Sequence, residues 1–587
     1  MAVKKAEVLL NGVAASPGIA MGNALVLART EIRVPKSRLS PDEIEPEVGR
    51  LLRAIETTKH QLVETRTKVA QEMGESYARI FDAHRMILED KLSTDEIVAG
   101  IRAGSNAEFA VNTVLSKHER LLWEKGDVYI KDRAADIRDV RIRVLSNLSG
   151  TSKGTNDLSN LGSDVIVVAH DLSPAETAQL RKESIRAFAT DVGGRTSHTV
   201  IMARSLEIPA VVGLHNALGR VQDDDFLIVD GNRGRVVVQP SPETMEKYKR
   251  ELQHYASLTK GLLRFRDLPA VTVDGHSIML SANIESHEEA DSVVEHGAQG
   301  IGLYRTEFMF VGREGLPAED EQYRVYDAVA SKVSPHPVII RTMDIGGDKF
   351  LSDFESPKEM NPYLGWRGIR FGLARRDIFK TQLRAILRAS TRGNIKIMYP
   401  MVSNLDEISE ARAVLEETMA ELDREGKGFD RQCEVGIMME TPAAVMIAPE
   451  LARHVDFFSI GSNDLIQYAL AADRGNDQVA YLYEPLHLGV LRFIKQTVTA
   501  AKEAGIWVGL CGEMSSDPVS ALVLLGLDLD ELSTSPYAVP EIKEMVRSVS
   551  YADARKLAEE ALTIERPEEI RKRAMEIIGR ESPELPL

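Results

Sequence analysis

The hydrophobic pattern changes its period several times along the chain. From about Val8 to Leu27, short apolar runs are broken by Asn11, Gly12 and the turn "SPG", which predicts strands joined by a turn. From about Ser40 to Leu148, apolar residues recur at three- and four-residue spacing, as in "EVGRLLRAIETTKHQLVETRTKVAQEM" and "YARIFDAHRMILED". That period predicts amphipathic helices. Strand signals return at "SDVIVVAHDLSPAETAQL" and run through "DFLIVDGNRGRVVVQP". The simplest reading is a small α/β domain, residues 1–30 and 150–240, with a helical bundle, residues 31–149, inserted into it.

A helical linker follows at residues 241–265, with Ser241 as its cap and Pro242 at its first position. A helix makes a semi-rigid spacer, suited to domains that keep a distance and still reorient. From Val271 onward, short β-rich runs alternate with helical segments. The runs are Ile278–Ala282, Gly300–Tyr304, Val338–Thr342, Ile395–Tyr399, Glu434–Met439, Asp456–Ile460, Ile506–Leu510 and Leu529–Ser533. Eight such units predict a (β/α)8 TIM barrel over residues 266–587, with its chemistry where strands end and loops begin. The fold class is therefore multidomain α/β.

Composition narrows the class. A chain of 587 residues exceeds one ordinary core, and 43% hydrophobic with 27% charged residues is typical of a soluble globular protein. There is no run of 18 apolar residues, so no membrane insertion is expected. The opening "MAVKKAEVLLNGVAASPGIA" is interrupted at Asn11 and Gly12 and reads as a first strand, not a secretory signal. Two distant cysteines, Cys433 and Cys511, make no metal-type cluster and fit a reducing, cytoplasmic setting. A net charge of −17 argues against a nucleic-acid partner.

The residues that follow the barrel runs carry the chemistry. Arg305 ends the second run and Arg341 the third, and Arg367 lies in the loop "NPYLGWRGIR". Glu440 follows the fifth run, Asn463, Asp464 and Arg474 the sixth, and Cys511 the seventh. Clustered arginines suggest an anion with several oxygens, because guanidinium binds phosphate and carboxylate bidentately. Glu440 and Asp464 are hard oxygen ligands suited to Mg²⁺, which takes one or two carboxylates plus substrate oxygens. Any one arginine beside a carboxylate reads equally well as a structural ion pair; eight suitable residues over five units do not. Cys433, at the start of a strand, reads as core packing, whereas Cys511 is the better candidate for a proton donor. His198, in "GGRTSHTVIMARSLEIPAVVG", is open to three readings: metal ligand, nucleophile or helix cap.

Taken together, "GGRTSHTVIMARSLEIPAVVG", "GLYRTEFMF", "RTMDIGGDK", "NPYLGWRGIR" and "GSNDLIQYALAADR" resemble the enzyme I family of the bacterial phosphotransferase system, over nearly the whole chain. The resemblance implies that His198 is phosphorylated on Nε2 by phosphoenolpyruvate. It implies that Arg305, Arg341, Arg367 and Arg474 bind that substrate, with contacts from Asn463 and Asp464. Glu440 and Asp464 match the Mg²⁺ ligands, Cys511 the acid that protonates the enolate, and Thr177 a threonine that orients the histidine. It further implies a swivelling phosphohistidine domain, a helical insert that docks the histidine-containing phosphocarrier protein, and a homodimer through the barrel. "PLHLGV", Pro485–Val490, departs from the family pattern by lacking a second proline.

In the insert, Glu72, Glu75, Asp82, Glu89 and Asp90 read as an acidic face suited to a basic carrier, and His84 as a surface or interface residue. One alternative is a phosphoenolpyruvate-using dikinase or synthase. It would need an ATP-binding domain for which no stretch is free, and no GxxxxGK[ST] loop is present. The other is a nitrogen-regulatory paralogue; those often carry an extra N-terminal sensory domain, whereas this chain opens on the "ASPGIA" strand.

Overall fold

The computed structural model describes residues 7–27 except 17, 34–150 except 35, 74 and 125–127, then 165–172, 185–193, 203, 208–310, 315–345, 359, 361–473, 476, 478–583 and 585. The chain divides into two compact units, Met1–Tyr255 and Ala256–Leu587.

In the first unit, eight strands form one sheet. They are β1 (Val8–Asn11), β2 (Val13–Ser16), β3 (Ile19–Leu27), β4 (Val165–Ala169), β5 (Ile185–Thr190), β6 (Ala210–Val212), β7 (Phe226–Asp230) and β8 (Arg235–Val238). Their order is β1-β8-β7-β3-β4-β5-β6-β2. The inner strands β3 to β6 run parallel and are nearly all apolar, as strands buried on both faces must be. Thr190, the last residue of β5, leads into Asp191, Val192 and Gly193, so the "GGRTSH" segment follows the carboxyl end of a parallel strand. In open α/β sheets that edge is where ligands bind. Gly193 has φ 119°, a backbone conformation that only glycine adopts readily.

Between β3 and β4 the described residues form five α-helices, α1 (Ile44–Met73), α2 (Glu75–Glu89), α3 (Lys91–Arg102), α4 (Ala107–Glu124) and α5 (Val128–Ser149). Buried Val48, Leu51, Ile55, Leu62 and Val69 form the inward stripe of α1, at the spacing the sequence shows. Polar groups on this stripe are satisfied: Thr58 donates to the Ala54 carbonyl at 2.7 Å and accepts from Asn147 at 2.8 Å.

The reading of His84 as a surface or interface residue is wrong. Its side chain is fully buried, with Nε2 3.2 Å from Oδ1 of Asp136 on α5. The reason is helical phase. Buried Ala78, Phe81 and Leu88 define the inner face of α2, and position 84 lies three residues after Phe81 on that face. Of the acidic residues, Glu89 and Asp90 are exposed and Asp82 is half-buried against Arg66. The side chains of Glu72 and Glu75 lie outside the described residues.

Helix α6 (Pro242–Leu262) carries the chain across the division between the units. The Thr244 amide donates to Ser241 Oγ at 3.1 Å, the capping bond that the sequence predicts, and Pro242 takes the first position. Beyond it, the buried Lys543 Nζ donates to the carbonyls of Arg266 and Gly297, both at 2.7 Å, pinning the chain where it enters the second unit.

The second unit is a closed barrel of eight parallel strands: β9 (Met279–Ile284), β10 (Ile301–Arg305), β11 (Val338–Arg341), β12 (Ile395–Tyr399), β13 (Val435–Met439), β14 (Phe457–Ile460), β15 (Trp507–Leu510) and β16 (Glu531–Thr534). β16 closes on β9 through Glu531 to Thr534 opposite Met279 to Ala282. The interior holds Leu303, Ile339, Met398, Met438 and Phe457, and Trp507 stacks on Phe457 with ring centroids 4.4 Å apart. Pro485–Val490 places His487 at the head of the Leu488–Ala504 helix, where Nδ1 accepts from the Gly489 amide at 3.1 Å.

Glu531 is one of the polar exceptions to the largely apolar interior. It is buried and accepts from Ser281 Oγ at 2.5 Å through Oε1, while Oε2 has no hydrogen-bond partner among the described residues. Burial pushes its carboxyl up to about 7, against the opposing Ser281 hydrogen bond. Because the folded value is raised, the folded state binds this proton more tightly. The stabilisation is complete below the ordinary carboxylate range and is lost as pH rises through about 7. Glu531→Gln is therefore expected to melt above the wild type near about pH 8 and together with it near about pH 4. Thermal unfolding across that range checks the prediction.

Candidate active site

Every barrel candidate that the structure describes follows the carboxyl end of a strand. Arg305 ends β10, Arg341 ends β11, and Arg367 lies in the loop that leads to the Ile369–Ala374 helix. Glu440 follows β13 directly, Cys511 follows β15, and Asn463 and Asp464 form the first turn of the helix Ser462–Leu470. Thr177, His198 and Arg474 lie outside the described residues.

Four of these candidates converge on one buried cluster. Arg367 Nη2 is 3.2 Å from Asp464 Oδ2, and its Nε donates to Asp344 Oδ1 at 2.9 Å. Arg341 meets Asp344 Oδ2 at 3.2 Å and Glu307 Oε1 at 3.1 Å. Asp344 is thus the keystone between the two arginines, and its own amide donates to Glu307 Oε1 at 2.9 Å. Tyr468 adds a second grip on Arg367: its hydroxyl accepts from Nη1 at 3.2 Å and donates to the Tyr363 carbonyl at 2.6 Å. Burial opposes the charge on both guanidiniums. Asp344 and Asp464 around Arg367, and Glu307, Asp344 and Glu440 around Arg341, outweigh it and hold both protonated.

The backbone is bent to build this cluster. Gly368 has φ 61°, and a Cβ there would fall 2.8 Å from the Met401 side chain and 3.2 Å from Asp344 Oδ1. Arg367 can approach Asp344 only because its neighbour has no side chain. Met401 itself sits at φ 59°, unusual for a non-glycine residue, and this turns its amide onto Glu440 Oε1 at 2.6 Å.

Glu440 and Asp464 fit a hard divalent cation. Glu440 is buried, and burial, then Asp464 and Asp344, push its carboxyl upward, against the opposing pull of Arg341 and Arg367. Asp464 Oδ1 is buried with no hydrogen-bond partner among the described residues. An acceptor-only oxygen left bare in a dry site suits a cation. No three His, Cys, Asp or Glu side chains form a ligand group among the described residues.

The other candidates stand apart from this cluster. Arg305 is paired with Glu285 just beyond the end of β9. Asn463 Oδ1 accepts from the Glu513 amide at 3.0 Å, and its carbonyl accepts from the Tyr483 hydroxyl at 3.1 Å. Cys511 is buried among the interior residues of the barrel and close enough to Arg341 and Glu440 to feel both charges. Burial pushes its thiol up to about 11, against a hydrogen bond from Ser459. It therefore keeps its proton at neutral pH, as a proton donor must. Cys433 is buried and donates to the Ile395 carbonyl at 3.3 Å, in line with its reading as core packing.

Sequence reasoning passed over Asp344, Glu307, Tyr468 and Ser459. The first two stand inside "RTMDIGGDK" and "YRTEF", where a carboxylate beside a strand-end arginine was the available signal.

Three family models match successive stretches of the chain: the N-terminal domain of PEP-utilising enzymes over residues 11–133, their mobile domain over 161–234 and their PEP-binding domain over 259–551. The chain is 45% identical to a phosphoenolpyruvate-protein phosphotransferase of Haemophilus influenzae, covering 94% of this chain and 96% of that relative. The chain belongs to this family. Relatives of the same name from Priestia megaterium and Bacillus subtilis are 43% and 42% identical, each over 96% of this chain, covering 97% and 98% of their own lengths. All three family models fall on this one chain, so the phosphotransferase relationship extends across both units. Among the described residues no helix is long and apolar enough to cross a membrane.

Proposed function

We propose that this phosphotransferase moves the phosphoryl group of phosphoenolpyruvate onto its own His198, releases pyruvate, and then passes the group to the histidine-containing phosphocarrier protein. That is the first step of the sugar phosphotransferase system, carried out in the cytoplasm. The observation that carries the reading is the buried pair Arg341 and Arg367, held by Asp344 beside Glu440 and Asp464 on the barrel's carboxyl rim. Such a site suits a small substrate with phosphate and carboxylate groups.

Loss of its phosphoryl group leaves phosphoenolpyruvate as an enolate. The bridging O–P bond breaks as a P–N bond forms at His198 Nε2. Arg341 and Arg367, with Arg305 and Arg474, clamp the anion in line with that attack, and Asn463 adds a polar contact. The Cys511 thiol gives its proton to the enolate carbon, its electron pair stays on sulfur, and solvent restores the proton. Imidazole suits the transfer because it is neutral and nucleophilic near neutral pH, and because it leaves again readily, as a serine ester would not. Thr177 orients the ring. Glu440 and Asp464 would hold a Mg²⁺ ion, which would supply charge neutralisation for the substrate oxygens.

The helical insert, residues 31–149, serves as the docking face for the carrier, supported by exposed Glu89 and Asp90. α6 serves as the tether that lets the phosphohistidine domain exchange partners. The barrel, residues 266–587, carries substrate binding and pairs two copies into a homodimer, supported by exposed Leu364, Met446 and Tyr481 on this unit.

The test is stoichiometric. With Mg²⁺ and phosphoenolpyruvate, the full-length protein releases one pyruvate for each chain phosphorylated, and added carrier removes the phosphoryl group. ATP with inorganic phosphate leaves the protein unlabelled. Pyruvate release without phosphoprotein, or labelling by ATP, would overturn the reading.

A further inference from the structure

Ser459 is a buried hydroxyl in a largely apolar layer of the barrel interior. It lies on β14 two residues after Phe457, so both side chains share the inner face. Its strand pairs with β15 in the register Ser459 to Gly509 and Ile460 to Leu510. The next residue, Cys511, continues the pairing through its amide, which donates to the Ile460 carbonyl at 3.0 Å. This register brings Ser459 Oγ to 3.1 Å from Cys511 Sγ, and both residues are buried.

A hydroxyl in such a layer costs free energy unless it is bonded, and an alanine would fill the position at no such cost. The bond Ser459 makes is chemically directional. A serine hydroxyl carries one proton, and here it donates that proton to the sulfur. The thiol itself donates to the Ile460 carbonyl at 3.8 Å, a long bond from a weak donor that gives up its hydrogen easily.

We infer that Ser459 is a positioning residue for proton delivery: by donating to Cys511 Sγ it leaves the thiol hydrogen free for substrate and holds the thiolate that remains. The S–H bond breaks as the C–H bond forms, and the electron pair stays on sulfur. Ser459 keeps its own proton throughout, and its hydrogen bond tightens onto the thiolate because charge-assisted bonds are stronger. The inference rests on the reading of Cys511 as the proton donor, and the experiment separates the two.

Full-length protein carrying Cys433→Ser has Cys511 as its sole thiol. In that background Ser459→Ala and Ser459→Thr are compared by steady-state kinetics with phosphoenolpyruvate and by the infrared S–H stretching band. Ser459→Ala is expected to lower kcat about tenfold with an unchanged KM, and to move the S–H band. Ser459→Thr, which keeps the hydroxyl, is expected to restore both. An unaltered kcat and an unmoved band in Ser459→Ala would overturn the inference. So would a loss confined to KM, or a threonine variant as impaired as the alanine one. Cys511→Ala is the separating control. If it keeps the wild-type kcat, the proton-donor reading fails; if it loses kcat while Ser459→Ala does not, only the role of Ser459 fails.

Discussion

Asp344→Asn is expected to lower kcat/KM for phosphoenolpyruvate by roughly a hundredfold or more while the barrel still unfolds cooperatively. The side chain acts through the two arginines it holds. Its importance lies in holding Arg341 and Arg367, two buried guanidiniums that repel each other and would otherwise lose their fixed geometry. Asparagine keeps the volume and one acceptor but removes the negative charge that both arginines share. Breaking a buried charge pair by removing one partner costs about 3–5 kcal/mol, part of which appears as lost substrate clamping. Substrate binding by titration calorimetry in the presence of Mg²⁺, with thermal unfolding as the control for folding, checks the prediction. A variant that folds normally and binds and turns over as the wild type does would show that Asp344 is not the keystone.

His198→Ala is expected to abolish phosphoprotein formation altogether while phosphoenolpyruvate still binds. The two outcomes separate because the anion cluster lies wholly within the second unit, on residues between Glu307 and Tyr468. Loss of phosphorylation removes the covalent step, not the clamp, so the affinity for substrate stays near the wild-type value. Titration of the variant with phosphoenolpyruvate and Mg²⁺ measures this directly. Loss of binding together with labelling would place His198 in the substrate pocket itself, against the proposed division of labour.

Much of this arrangement is legible in the residue pattern. The barrel strands are nearly continuous apolar runs because both of their faces are covered. The run Ile395–Tyr399 is therefore the strand itself, and Ile278–Ala282 differs from Met279–Ile284 only at its ends. Arg341 and Glu440 stand at strand ends, and Arg367 and Asp464 in the segments that follow strands, so all four gather at the carboxyl end of the barrel. Three features resist such reading. His84 sits in a charged segment and looks exposed until its phase against Phe81 and Leu88 is counted. Asp344 and Glu307 are visible as carboxylates, but which arginine each one holds depends on the loop bend at Gly368. Ser459 reads as an ordinary strand position in "DFFSIGS", because its partner, Cys511, is 52 residues away and reaches it only through the β14–β15 register.

The central claim is that the phosphoryl group rests on one histidine. It is tested most directly by incubating the full-length protein with Mg²⁺ and phosphorus-labelled phosphoenolpyruvate, followed by proteolysis and peptide mapping. The account predicts an acid-labile, base-stable label on the peptide that contains His198 and on no other. Label on a different residue, or no covalent label while pyruvate accumulates, would contradict it.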